Sequence, residues 1–258
     1  VKLRALRAGR RFFMANLDLN QMLVYLDSDV AHRVQHVLRV REGDSVELLD
    51  GLGGVLWGEL TFRYSQIAVR KHRSMVMKPK QERLQLGIPL LKAGNTEFAV
   101  QKAVELGATD IFVYEAHRST RRLKVRGAGR LLSRLVGVGR EAVEQCGRCY
   151  IPNIQICENV TTVAARMNTN PFIASTTPGL PALQDVYPAG GQTFAAIIGP
   201  EGGLDLEEIS ALGGCGGVQV SLGSYVLRTE TAVVVAATLA ACGFGWLGSN
   251  TGAEYGSA

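Results

Sequence analysis

Ile198-Gly199-Pro200-Glu201-Gly202-Gly203-Leu204 and Leu222-Gly223-Ser224-Tyr225-Val226-Leu227-Arg228-Thr229-Glu230-Thr231-Ala232 are the two stretches on which the reading of this chain turns. Each follows a short β-like run, Phe194 to Ile198 and Val218 to Ser221, and each leads into a helix-like stretch. Glycines at a strand-to-helix turn let the backbone take φ > 0 and approach a ligand closely. Glu201 in one turn and Arg228 in the other set charge beside that bare backbone. The pair therefore reads as one ligand site.

Working outward, the chain from Leu84 alternates strand and helix. Strands are expected at 84–88, 111–114, 153–156, 172–175, 194–198 and 218–221. A helix capped by Asn95 or Thr96 carries an apolar stripe of Ala99, Val100, Ala103, Val104 and Leu106, and Gly107 ends it. Such alternation predicts an α/β fold with a parallel sheet covered on both faces. Ligands of open α/β sheets settle at the carboxyl ends of the strands. A third turn, Ser175-Thr176-Thr177-Pro178-Gly179, lies at such an end. The middle turn lacks Gly-Lys-Ser/Thr, and the chain has no GxGxxG, so nucleoside triphosphates and ordinary dinucleotides are disfavoured.

The first part of the chain reads differently. Short strand-like runs at 24–26, 45–49, 55–62 and 66–69 are split by Glu42-Gly43-Asp44 and by Asp50-Gly51-Leu52-Gly53-Gly54, a hairpin signal. One helix, 29–40, interrupts them, which suggests a small barrel. The stretch Lys71 to Gln81 is charged, contains a proline and has no period, so it reads as a linker. The expected division is 1–72 for a β-barrel domain, 73–82 for the linker, 83–248 for the α/β domain and 249–258 for a tail.

Among 258 residues, 47% are hydrophobic and 20% charged, as expected of a soluble protein with a real core. The net charge of +5 tilts mildly toward polyanionic partners, and its placement says more than its sum. Arg4, Arg7, Arg10 and Arg11 open the chain. His32, Arg33, His36, Arg39 and Arg41 sit on or beside the first helix. Arg118, Arg121, Arg122, Lys124, Arg126, Arg130 and Arg134 form the densest run. The five cysteines, at 146, 149, 157, 215 and 242, suggest no disulfide framework, which favours a reducing, cytoplasmic setting. Cys146-Gly147-Arg148-Cys149 has no second pair and no His cluster nearby, so no metal is expected. The basic opening lacks an apolar run after it, and the apolar stretch 232–247 falls short of a membrane span.

Taken in order, six elements make the chain resemble the RsmE family of bacterial ribosomal RNA methyltransferases, within the SPOUT superfamily. They are His32-x-x-x-His36-Val37-Leu38-Arg39 followed by Gly43-Asp44; Gln101 to Gly107; Arg118-Ser119; Glu141 to Cys146 with Arg148 and Pro152; Gly199 to Gly203; and Leu227 to Ala232. Ser224 departs from the pattern, which has proline there. The resemblance spans residues 10–245. It implies a PUA-like β-barrel joined to an α/β domain with a C-terminal trefoil knot, S-adenosylmethionine as cofactor, and a homodimer. It also implies methylation of N3 of a uridine in the decoding region of 16S RNA on the small ribosomal subunit. The cofactor would lie against Ser175, Thr176, Ile198, Gly199, Pro200, Glu201, Gly202, Leu222, Gly223, Val226 and Leu227. Arg228 would face the uracil, with Glu201 or Glu230 handling its proton.

Other readings compete: a SPOUT enzyme acting on a ribose 2′-oxygen, an RNA-binding assembly factor without catalysis, or a metabolic enzyme in which the basic clusters have no role. If the basic residues Arg10, Arg11, Arg33, Arg39, Arg118, Arg121, Arg122, Lys124 and Arg126 meet phosphates, RNA affinity falls steeply with salt. Binding measured between 50 and 200 mM salt checks this, and a flat response removes them from the RNA surface.

Overall fold

The computed structural model describes residues 10–38, 40–63, 66–92, 94–123, 127–187 and 190–247. It divides into two compact units. One comprises the chain up to Pro79 together with Arg140–Ile151, the other Lys80–Gly139 and the chain from Pro152 onward.

In the first unit β1 (Arg11–Phe13), β2 (Leu23–Tyr25), β3 (Ser45–Leu49), β4 (Gly54–Arg63) and β5 (Gln66–Val76) form one sheet in the order β1-β3-β4-β5-β2. Only the β1–β3 pair is parallel. The β3–β4 hairpin turns as its sequence suggests, with Asp50 Oδ1 accepting from the N–H groups of Leu52 and Gly54. Phe12, Val24, Val30, Val34, Val46, Leu48, Leu56, Leu60 and Val69 make a buried cluster on this sheet. The helix expected over 29–40 is shorter. Asp27 caps α1 (Ser28–His32) by accepting from Val30 N–H, and the chain then widens into a π-turn over Arg33–Val37.

Two boundaries differ from the sequence division. β5 runs on through Val76, inside the stretch read as a linker. Its outer half pairs with β4 while alternate residues face solvent, so its charges hide the strand. Arg73 even lies over the Trp57 ring at 4.2 Å. The segment 140–151, assigned from sequence to the second domain, packs with the first unit. Glu144, near the end of α3 (Ala128–Cys146), explains it: its carboxylate accepts from Phe13 N–H at 2.8 Å and from both Arg33 terminal nitrogens at 3.0 and 2.6 Å. Leu52 and Tyr150 add an antiparallel bridge.

The second unit is an α/β fold. Six strands, β6 (Arg83–Pro89), β7 (Asp110–Tyr114), β8 (Asn153–Cys157), β9 (Phe172–Ala174), β10 (Thr193–Ile198) and β11 (Val218–Val220), are all parallel in the order β11-β9-β10-β6-β7-β8. α2 (Asn95–Glu105) and α7 (Thr229–Gly243) pack on each other and on β6, with α5 (Leu183–Val186) against α7. α4 (Val160–Arg166) and α6 (Leu206–Gly214) pack together, and their Val160, Val163, Ala164 and Leu212 share a core with Phe112, Tyr114, Ile173 and Ile197. The small residues Ala232, Val233, Ala236, Ala237, Ala240 and Ala241 of α7 are buried within the chain itself. Among the described residues no helix is long and apolar enough to cross a membrane.

A polar network around the buried Asp110 joins the amino ends of β6, β7 and β8. Asp110 accepts from Arg83, Gln85, Thr109 and Asn153. Burial alone would raise its pKa, but the hydrogen bonds from Arg83, Thr109 and Asn153 outweigh it and hold the carboxyl below its ordinary range. The carboxyl ends are thereby left as the open side of the sheet.

Replacing Glu144 with Ala leaves Phe13 N–H without its acceptor and Arg33 without its partner. The expected loss is about 2 kcal/mol, read as a lowered urea midpoint.

Candidate functional site

Three turns converge at the carboxyl ends of β9, β10 and β11. They enclose a cleft of about 850 Å³ lined by residues 173–180, 198–204 and 221–229, with Arg118, Ile209 and Ala232. That size lies within the range of small-molecule sites. The eleven residues expected at a cofactor, Ser175, Thr176, Ile198, Gly199, Pro200, Glu201, Gly202, Leu222, Gly223, Val226 and Leu227, all line it. Arg228 lines it too and is exposed, whereas Glu230, one turn into α7, is not part of the lining.

Hydrogen bonds from three elements set the turns. Tyr114, wholly buried at the end of β7, donates its hydroxyl to Ile198 O at 2.7 Å. Burial, helped by the negative charge of Glu208, pushes that phenol well above its ordinary pKa, so it stays a donor. Thr229, buried at the start of α7, donates to Gly199 O at 3.1 Å. Ser221 Oγ receives Gly223 N–H and donates to Gly223 O. Gly223 itself stands at φ 138°, a backbone state closed to other L residues without strain. Ser175 Oγ likewise receives Thr177 N–H.

The loop after β7 is fastened to the middle turn. Arg118 donates to Gly202 O at 3.2 Å, and a Cβ on Gly202 would come within 3.1 Å of the Arg118 Cβ. His117 Nδ1 lies 2.7 Å from Asp205 Oδ2. Asp205 Oδ1 accepts from Glu208 N–H, while Glu208 accepts from the N–H groups of Asp205 and His117, a reciprocal cap that starts α6. His117, Asp205 and Glu208 also form the group of described residues whose ligand-capable atoms lie within 4.8 Å of one another. Every carboxylate oxygen there already has a partner, so the helix cap accounts for the cluster.

The basic residues fare unequally. Arg10 pairs with Asp44 at 3.2 Å, Arg11 with Glu47 at 3.3 Å and Arg33 with Glu144, all within the first unit. Arg122 pairs with Glu115 at 2.7 Å, and Arg121 is half-buried. Arg118 and Arg228 remain exposed at the cleft. Arg4, Arg7, Arg39, Lys124 and Arg126 lie outside the described residues. Sequence reading set Arg118 aside for RNA and passed over Tyr225. The loop-to-turn contact that brings Arg118 to the cleft spans 84 positions, which no local pattern reveals.

The hydrogen bond from Asp205, with the charges of Glu208 and Asp205, raises the His117 pKa above its ordinary 6.5. The imidazolium's contribution to holding loop and turn together is therefore complete below 6.5 and is lost as pH rises through the folded value. Asp205→Asn keeps a good cap and is expected to bring the His117 pKa back down, measured by NMR titration of its ring protons. An unchanged value would break the assignment.

Residues 78–241 match the RNA methyltransferase domain family. Curated relatives include the ribosomal RNA small subunit methyltransferase E of Synechocystis, 30% identical over 88% of this chain and 75% of its own length. A protein of Legionella pneumophila solved in complex with SAM superposes with a TM-score of 0.80 at 25% identity, covering 90% of this chain and 97% of that one. The ribosomal RNA small subunit methyltransferase E of Neisseria gonorrhoeae, solved with S-adenosyl methionine, gives 0.78 at 26% identity over the same shares. The motif order, the parallel sheet and these matches agree: the chain belongs to the RNA methyltransferase domain family and, within it, to the ribosomal RNA small subunit methyltransferase E family.

Proposed function

We propose that this chain is an RNA methyltransferase that moves the methyl group of S-adenosylmethionine to N3 of a uridine in the decoding region of 16S RNA, acting on the small ribosomal subunit. The observation that carries this reading is the convergence of three strand-end turns on one cleft with Arg228 in its wall. The residues present fit the cofactor. An adenosyl group needs an apolar slot edged by backbone and hydroxyl groups, and Ile198, Leu222, Val226 and Leu227 stand in the same lining as Ser175 and Thr176. A Cβ on Gly203 or Gly223 would meet nothing within 4 Å, so bare backbone faces open space at both turns. The Glu201 carboxylate complements a cationic ligand.

When bound, S-adenosylmethionine supplies a methyl group already activated by its sulfonium. The chain's own task is to handle the uracil imide, a weak acid that must lose its N3 proton as the N–C bond forms. Arg228 places a permanent positive charge where a uracil oxygen gains negative charge, and it does so without moving a proton. Glu201, which lines the cleft while Glu230 does not, is the better placed carboxylate to take the proton directly or through a water. Arg118 carries the phosphate-facing charge in the cleft lining, with Arg121 and Arg122 following it in the chain.

The same reading extends to the architecture. The contact of the α7 start with the β10 turn, through the Thr229–Gly199 hydrogen bond, is consistent with a trefoil knot in the C-terminal segment. The five-stranded sheet of the first unit supports a PUA-like barrel that carries RNA. The proposal includes a homodimer, a cytoplasmic setting suited to five free thiols, and a boundary between domains in the stretch after β5.

Small subunits from cells lacking the protein test the reaction. Incubation with protein and S-adenosylmethionine is expected to add one methyl group to a uracil base, located by mass spectrometry of digested RNA. A methylated ribose, or no product, refutes it. Arg228→Ala is expected to slow transfer about 100-fold or more while cofactor affinity stays within about twofold.

A further inference from the structure

Tyr225 is among the most exposed large side chains of the described residues, at 85% of its full accessibility, and it lines the cleft. A tyrosine in a soluble protein ordinarily buries its ring and offers only its hydroxyl to water. Here the reverse holds: the ring has no aromatic neighbour and its hydroxyl no hydrogen-bond partner among the described residues. The backbone beneath it is fixed. Ser221 ties down Gly223 two positions before the ring, and Thr229 anchors the chain four positions after it. The exposure is thus held by a braced turn.

We propose that Tyr225 is a stacking platform for a base of the RNA substrate at the mouth of the cleft, an inference that rests on the reaction proposed above. Leu222 and Leu227 nearby are half-buried, whereas Tyr225 and its neighbour Val226 are 85% and 82% exposed. It is the ring's π face beside two cations, not exposure alone, that sets its role apart. The charges around it select the partner. Arg118 and Arg228 are exposed on the same lining, and a free aromatic face beside one cation for phosphate and one for the base is the pattern that takes a nucleotide by both parts together. Stacking also fills a gap in the mechanism. Before its proton leaves, a uracil offers Arg228 only neutral carbonyl acceptors, and stacking adds a hold on its face.

Three variants and three readouts test this. Tyr225→Ala is expected to raise the KM for small ribosomal subunits about 5- to 150-fold, with the cofactor Kd within about twofold and the molecular mass by light scattering unchanged. Tyr225→Phe and Tyr225→Trp keep a π face and are expected to stay near wild type. An unchanged KM in the alanine variant overturns the proposal. So does an equal rise in cofactor Kd, which would make the ring a cofactor wall, or a change of mass, which would make it a contact between copies. Binding of a uridine-rich single strand, followed by anisotropy with cofactor present, separates this inference from the reaction. Weaker binding by the alanine variant without methylation of subunits by the wild type would keep the stacking role and refute the reaction. Unchanged binding refutes the stacking.

Discussion

The hydrogen bond from Thr229 Oγ1 to Gly199 O joins the first residue of α7 to the turn that leaves β10, 30 positions earlier. This contact ties together two of the three turns at the carboxyl edge of the second sheet. It holds the 222–228 turn against the 199–203 turn, so that bare backbone and two charged side chains share one cleft. Tyr114 reinforces it from β7 by holding the carbonyl of Ile198 in a site with no water to compete. A buried hydroxyl with a single acceptor is costly to displace, because breaking the bond strands both groups. Ligand-binding loops commonly belong to the least stable parts of a fold. These are instead braced from β7 and from α7.

Polar groups are divided between the two ends of the same sheet. At the amino ends, Asp110 gathers Arg83, Gln85, Thr109 and Asn153 into a satisfied network. At the carboxyl ends, Glu201, Arg118 and Arg228 are left exposed. The charge economy of the first unit is similar. Arg10, Arg11 and Arg33 have carboxylate partners, and Glu144 spends both oxygens on Arg33 and Phe13. A net charge of +5 is therefore a poor guide to how much positive potential faces a ligand.

Much of the fold was legible locally. The alternation from Leu84 onward pointed to all six parallel strands, most plainly β6, β7 and β10, which are buried along nearly their whole length and read as short apolar runs. The turns at the ends of β10 and β11 were legible as well, since Gly199, Gly202, Gly203 and Gly223 mark them in the sequence. What escaped was whatever depended on alternation with charged residues or on distant partners. The outer half of β5 looked like a linker because its solvent face is basic. The segment 140–151 looked like part of the second domain until Glu144 was seen to serve Phe13 and Arg33, 131 and 111 positions away.

By itself the sequence determined the element types, the glycines at the strand ends and the residues that could carry chemistry, since those follow from side-chain shape, periodicity and spacing along a few neighbouring positions. Only the tertiary structure decided which of them meet. It put Arg228 and Glu201 in one lining and left Glu230 out. It brought Arg118 to Gly202 and exposed the ring of Tyr225. The reason is that a parallel sheet gathers strand ends far apart in the chain, the strand order β11-β9-β10 sets which turns are neighbours, and the Thr229–Gly199 hydrogen bond ties two of them together.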